Sequence, residues 1–257
     1  MKHKLSWLGF VLLLSACFPK VDYDLRYSIR ETEAVYQLQT ITALPSPFPT
    51  PTRIPKPIDP YQLTAIPAGK IIPAPIYLSG KGNSVVKIEK WSGPAIAIIT
   101  YAGTATPSPN GDFFLVYNYD ANENQLDLNV HANARYTGTV PIDFREWEQT
   151  AKFKVKAGGV WEIIVYPIAY VRTVQIPGKF SGSGDDVIFI HGGVPDKIRV
   201  DAPTIGDFIS IWQLTDTGMH GLCAVDTPYR DAGMIDKSTT ILTVSTGGSW
   251  TIEILTK

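Results

Sequence analysis

Residues suited to chemistry are few in this chain, and they are scattered. Cys17 closes an apolar run as Leu14-Ser15-Ala16-Cys17, and a second thiol, Cys223, sits in Gly221-Leu222-Cys223-Ala224-Val225 with His220 three residues before it. A Cys/His pair can generate a thiolate nucleophile, but no orienting carboxylate signature accompanies this one, and its apolar neighbours fit a buried thiol. Asp120, Asn122 and Asn124 place oxygen ligands at alternate positions, as the first half of a calcium loop does. Gln125 and His131 stand where such a loop needs its glycine and its bidentate glutamate, so a polar hairpin turn competes with a metal site there. His131, His191 and His220 show no metal-ligand spacing. No Gly-x-Ser-x-Gly elbow, Walker loop or dinucleotide fingerprint occurs, and no cofactor is expected. Asp185, Asp186, Asp201 and Asp207 could supply a pair of carboxylates for a hydrolase, although in turns such residues more often accept backbone hydrogen bonds.

Four of the tryptophans divide into two kinds. Trp161 and Trp250 each alternate with isoleucine or valine, which marks an apolar strand face and a core position. Trp91 precedes the turn Ser92-Gly93-Pro94, and Trp147 lies in the polar stretch Asp143-Phe144-Arg145-Glu146-Trp147-Glu148. An exposed indole can stack on a sugar or enter a partner's pocket, so Trp91 and Trp147 are the candidate ligand-binding residues. The competing role is to cover a sheet edge.

The elements that position these residues occur twice. Leu78-Ser79-Gly80-Lys81-Gly82-Asn83-Ser84-Val85 returns as Phe180-Ser181-Gly182-Ser183-Gly184-Asp185-Asp186-Val187. Gly111-Asp112-Phe113 returns as Gly206-Asp207-Phe208, and Gly158-Gly159-Val160-Trp161-Glu162-Ile163 as Gly247-Gly248-Ser249-Trp250-Thr251-Ile252. Three anchors in one order indicate an internal duplication. Short runs rich in Val, Ile, Tyr and Thr alternate with polar residues and are punctuated by Gly, Pro, Asn and Asp, with no helical period. The expected fold is all-β: two tandem antiparallel β-sandwich repeats, 74–168 and 174–257, after a Pro-rich linker. Taking Ala157-Gly158-Gly159 as a three-residue hairpin loop sets Val155 opposite Trp161 and Phe153 opposite Ile163, and the second copy sets Val244 opposite Trp250. The Gly-x-Trp-x-Ile ending and strand spacing resemble secreted bacterial modules such as pre-peptidase C-terminal domains. Such modules are appended to secreted enzymes, and a duplicated sandwich without unusual insertions leaves little room for a catalytic cleft, so a non-catalytic binding or envelope-associated module is expected.

Lys2 and Lys4 precede the apolar run Leu5–Leu14, which is too short to span a bilayer core of about 30 Å. With Leu14-Ser15-Ala16-Cys17 at its end, the leader resembles the lipobox of bacterial lipoproteins. The resemblance implies a signal peptide over 1–16, lipidation of Cys17, and attachment to the cell membrane or outer membrane on the extracytoplasmic face. Residues 17–73 then form a lipidated N-terminus and stalk, in which Pro45–Pro60 reads as an extended polyproline spacer. Without the leader the chain carries 21 basic and 24 acidic residues, a net charge near −3. No clustered basic face suggests a nucleic-acid partner. The expected partners are the membrane, through the lipid, and a glycan or envelope protein; a carboxylate-dependent hydrolase is the alternative.

Overall fold

The structure is a computed structural model, and it describes residues 72–104 and 113–257. Cys17, the leader, the Pro45–Pro60 stalk and Gly111-Asp112 lie outside the described residues. Among the described residues no helix is long and apolar enough to cross a membrane.

The described residues of the first repeat form eight strands: β1 (Ile76–Lys81), β2 (Ser84–Lys87), β3 (Ala95–Tyr101), β4 (Phe114–Tyr119), β5 (Gln125–Ala132), β6 (Tyr136–Ile142), β7 (Lys152–Ala157) and β8 (Val160–Pro167). They form two sheets, ordered β1-β8-β3-β6 and β2-β7-β4-β5. A 3-10 turn at Ile168–Tyr170 and β9 (Arg172–Gln175) lead into the second repeat. Its strands are β10 (Gly178–Ser183), β11 (Asp186–His191), β12 (Pro195–Ala202), β13 (Phe208–Thr215), β14 (Gly218–Asp226), β15 (Tyr229–Met234), β16 (Ile241–Thr246) and β17 (Ser249–Thr256). Their sheets, β10-β17-β12-β15 and β14-β13-β16-β11-β9, repeat the first order strand for strand and add β9 at one edge. Eight strands with outer and inner members paired in this way make a jelly roll, so the duplication is one of complete jelly-roll sandwiches. The all-β sandwich expectation holds. One pairing departs from it, since β9 lies parallel to β11.

The Gly-Gly segments do not form hairpins. β7 pairs with β2 and β4, whereas β8 pairs with β1 and β3, so the chain crosses between sheets at Gly158-Gly159. Gly80 lies opposite Trp161, the Gly82 N–H donates to the Gly159 carbonyl at 2.9 Å, and Ser84 lies opposite Val155. The two recurring sequence anchors are thus the two strands of one ribbon, folded over the core at its glycines. Gly82 and Gly184 turn that corner at φ of 71° and 73°, a region that strains residues with a Cβ. The alternation read from sequence survives because a ribbon folded at this corner still points Phe153, Val155, Trp161 and Ile163 into one core. Periodicity identifies the face of a strand but not its neighbour.

A close contact holds each corner. A Cβ on Gly80 would stand 2.3 Å from the Trp161 ring, and one on Gly182 would stand 2.2 Å from Trp250. Each indole lies over the glycine of the neighbouring strand and donates Nε1–H to a corner carbonyl, Gly82 or Gly184, at 3.0 Å. Both indoles are fully buried.

The two jelly rolls pack sheet on sheet. A third apolar cluster joins Ile96 and Tyr166, on the outer face of β1-β8-β3-β6, to Val187, Phe189, Leu214 and Ile241, on the outer face of the five-stranded sheet. At the edge of this layer the Tyr136 hydroxyl donates to Asp185 at 2.6 Å, and the Thr139 N–H donates to the Asp185 carbonyl at 2.9 Å.

Adding one methyl group at the corner should overpack it. Gly80→Ala and Gly182→Ala are each expected to destabilise the protein by about 1–3 kcal/mol. Gly221→Ala, whose added Cβ meets its nearest neighbour at 3.8 Å, should be close to neutral. Urea denaturation midpoints of the three variants check the ordering.

Candidate functional site

The two candidate tryptophans ride on one buried polar node at a loop end of the first sandwich. Lys90 follows β2, and its ammonium donates to the carbonyls of Trp91 at 2.8 Å and Gly93 at 2.5 Å. It also pairs with Asp143 at 3.1 Å, both side chains being fully buried. Three donors on the ammonium meet three acceptors. Asp143, at a φ of 57°, receives the Thr150 N–H at 2.9 Å and the Thr150 hydroxyl at 2.6 Å. Asn118 on β4 donates to the same hydroxyl at 2.8 Å. Burial pushes the Lys90 ammonium below its ordinary value, against the opposing pull of Asp143. The β2–β3 and β6–β7 loops are therefore tied at their bases to each other and to the sheet.

From this node the two indoles diverge. Trp91 is half-buried and packs against the first core, with the Lys90 ammonium 5.4 Å from its ring centre. Trp147 is 68% exposed, with the Arg145 guanidinium 5.7 Å from its ring centre. Arg145 is itself held by Glu148 at 2.7 Å. They do not form one exposed aromatic patch; Trp147 is the indole presented to solvent. Sequence reading singled out both tryptophans and missed Lys90, whose partner lies 53 positions further along the chain.

The other chemically suggestive residues are largely occupied. Asp120 turns back on its own loop, accepting the N–H groups of Asn122 and Asn124 and the side-chain amide of Asn124, each at 2.8 Å. The Asn124 amide bond, first among these, lowers the Asp120 carboxyl below its ordinary value. The Asp120–Asn124 segment thus has the geometry of a capped turn between β4 and β5, with Glu123 at a φ of 69° and paired to Lys152. Among the described residues no three His, Cys, Asp or Glu side chains converge as metal ligands. Cys223 packs against the second core, and burial raises its thiol to about 11, the opposite of activation. His220 meets the Thr217 hydroxyl at 2.9 Å.

The acidic residues are also held by neighbours. Asp201 pairs with Arg230 across β12 and β15, and Asp186 pairs with Arg172 at 2.8 Å. Asp185 and Asp207 share Thr246: Asp185 accepts its N–H at 2.8 Å and Asp207 its hydroxyl at 2.7 Å. Burial pushes Asp185 and Asp186 above the usual carboxylate range, against the pull of their hydrogen-bond donors. Burial and the facing Asp185 likewise push the Tyr136 phenol upward. A cavity of about 190 Å³ lies in the seam beside Ile96, Ile98, Thr139, Arg172, Asp186 and Val187. It is smaller than the roughly 300 Å³ at which small-molecule sites begin.

No family model matches the chain, and no curated protein sequence matches it significantly. Among solved structures, the CUB1-EGF-CUB2 region of human MASP-1/3 aligns at 7% identity, covering 69% of this chain and 99% of its own, with a TM-score of 0.24. Allantoicase aligns at 15% identity over 64% of this chain and 74% of its own, with a TM-score of 0.25. A structure from Sulfolobus turreted icosahedral virus aligns at 8% identity over 69% and 90%, with a TM-score of 0.20. Likenesses this slight carry no argument about function.

The seam gives a pH prediction. A carboxyl with a raised folded value contributes its stability below the ordinary carboxylate range and loses it as pH rises through the raised value. Asp185→Asn removes that loss. The variant's stability relative to the parent is therefore expected to be greater at pH 7 than at pH 4, as read from denaturation midpoints at both.

Proposed function

We propose that the protein is an extracytoplasmic lipoprotein. Acylated Cys17 anchors it to the cell membrane or outer membrane, and its β head is a non-catalytic binding module for a glycan or envelope protein. One observation carries the binding part: Trp147 stands 68% exposed on a loop whose base is a fully buried ion pair. Presenting an indole from a stiff base lowers the ordering cost of association, and Trp and Arg are the side chains that most often dominate interfaces. Arg145 beside the ring adds a guanidinium to the same contact. A binding role fits the carboxylates better than hydrolysis does, since Asp185, Asp186, Asp201 and Asp207 each hold a neighbouring group. The anchoring part rests on the Leu14-Ser15-Ala16-Cys17 sequence and the stalk behind it. Two chains or more on one residue would hold firmly, since each buried CH₂ contributes about 0.8 kcal/mol.

Full-length protein should bind at least one ligand on a glycan array or in an envelope extract, and Trp147→Ala should weaken that binding roughly tenfold or more. A blank on both, or binding indifferent to Trp147, would reject the loop-end site. Cys17→Ser should abolish incorporation of labelled palmitate and move the protein out of the detergent phase. Unchanged labelling would reject the anchor.

A further inference from the structure

We propose a second binding site, for a short stretch of neutral oligosaccharide, on the outer face of the β13–β14 hairpin in the second sandwich. Ile209, Ile211 and Gln213 are buried, so Phe208, Ser210 and Trp212 point the opposite way along β13. Trp212 lies across β14 above Gly221, its cross-strand partner. Three atoms of its six-membered ring stand 3.8–3.9 Å from the position a Cβ would take on that glycine. Three nearly equal distances mean that the ring lies flat on β14, and the residue as a whole keeps 36% of its surface exposed. Its Nε1–H donates to Ser210 Oγ at 3.0 Å, which fixes the ring's direction in the plane of the sheet. The ladder also shifts register between Ile211 and Trp212, and such a bulge re-aims a side chain.

The occupant follows from shape and charge. Phe208, 46% exposed, shares the face with Trp212 four residues away, about 13 Å along the strand. That separation suits a short oligosaccharide rather than a single ring. Exposed Ala224, opposite Ser210, leaves the space between the aromatics low. Ser210, Gly221 and Ala224 carry no charge, and Asp226 opposite Phe208 supplies one carboxylate acceptor at the end of the strip. An anionic polymer would meet that carboxylate with repulsion. A neutral sugar chain offers C–H faces to the indole and hydroxyls to Ser210 and Asp226. The remainder of the same sheet face, at Val187, Phe189 and Ile241, is already covered by the first sandwich, and the strip continues beyond that contact.

The site is separate from the Trp147 loop and does not depend on it. Affinity electrophoresis of the full chain through gels containing a soluble β-glucan, an α-mannan or a xylan tests it. At least one polysaccharide should retard the protein. Trp212→Ala should weaken the retardation about tenfold and Phe208→Ala less, while Trp212→Phe keeps most of it and Trp147→Ala leaves it unchanged. Three gels without retardation, or retardation equal in parent and Trp212→Ala, would overturn the proposal. Loss with Trp147→Ala and not with Trp212→Ala would also overturn it, while supporting the loop-end site.

Discussion

The architecture depends on an indole laid over a glycine where a two-stranded ribbon folds. Trp161 on Gly80 and Trp250 on Gly182 each fill a space that no Cβ could share. Each is pinned by an Nε1–H bond to a carbonyl at the corner itself. With the crossing held at that level, one arm of the ribbon becomes β1 and β8 in one sheet, and the other becomes β2 and β7 in the facing sheet. The remaining strands fill the places left beside them. Burial of a large aromatic at the fold gives the bend an energetic reason, because straightening the ribbon would return that surface to water.

Duplication of this unit did not leave two independent beads. The outer face of one sheet in each copy turned apolar, and the two faces closed into a third layer through Ile96, Val187 and Ile241. The corner residues record the divergence. Asn83 accepts the Ala157 N–H through Oδ1, and Asp185 accepts the Thr246 N–H in the equivalent place. The second carboxylate oxygen of Asp185 is then free to take the Tyr136 hydroxyl of the other copy. One exchange of amide for acid thus converts an internal corner bond into part of an interface, at the cost of burying a charge.

A similar economy operates at the loop end of the first sandwich. Loops that project from a sandwich are its least constrained parts, yet Lys90 and Asp143 tie two of them together with every donor of the ammonium satisfied. Such a pair contributes less to stability than to a single loop geometry, since desolvation offsets much of its Coulomb attraction. In the second copy Phe208, 46% exposed, keeps the place that Phe113, 45% exposed, holds in the first, while Trp212 lies along the β13–β14 face and Trp147 stands on a loop of the first. The two sandwiches share a scaffold and present different surfaces.

Much of the fold was legible in the residues. Period-two alternation marked the buried faces of β7, β8, β16 and β17, and the recurring glycine and tryptophan anchors marked the duplication, because both signals are local. The pairing of those strands was not legible: Gly158-Gly159 reads equally well as a hairpin loop and as a corner, and the same residues face the core in both. The exposure of Trp147 and the packing of Trp91 were likewise undecided, as was the flat posture of Trp212, which needs Gly221 from the next strand. Sequence by itself determined the strand class, the repeat and the apolar faces, since these follow from side-chain order along one chain. Tertiary structure alone decided which strands are neighbours, where the copies meet and which indoles reach solvent, since each depends on contacts between residues far apart in the chain.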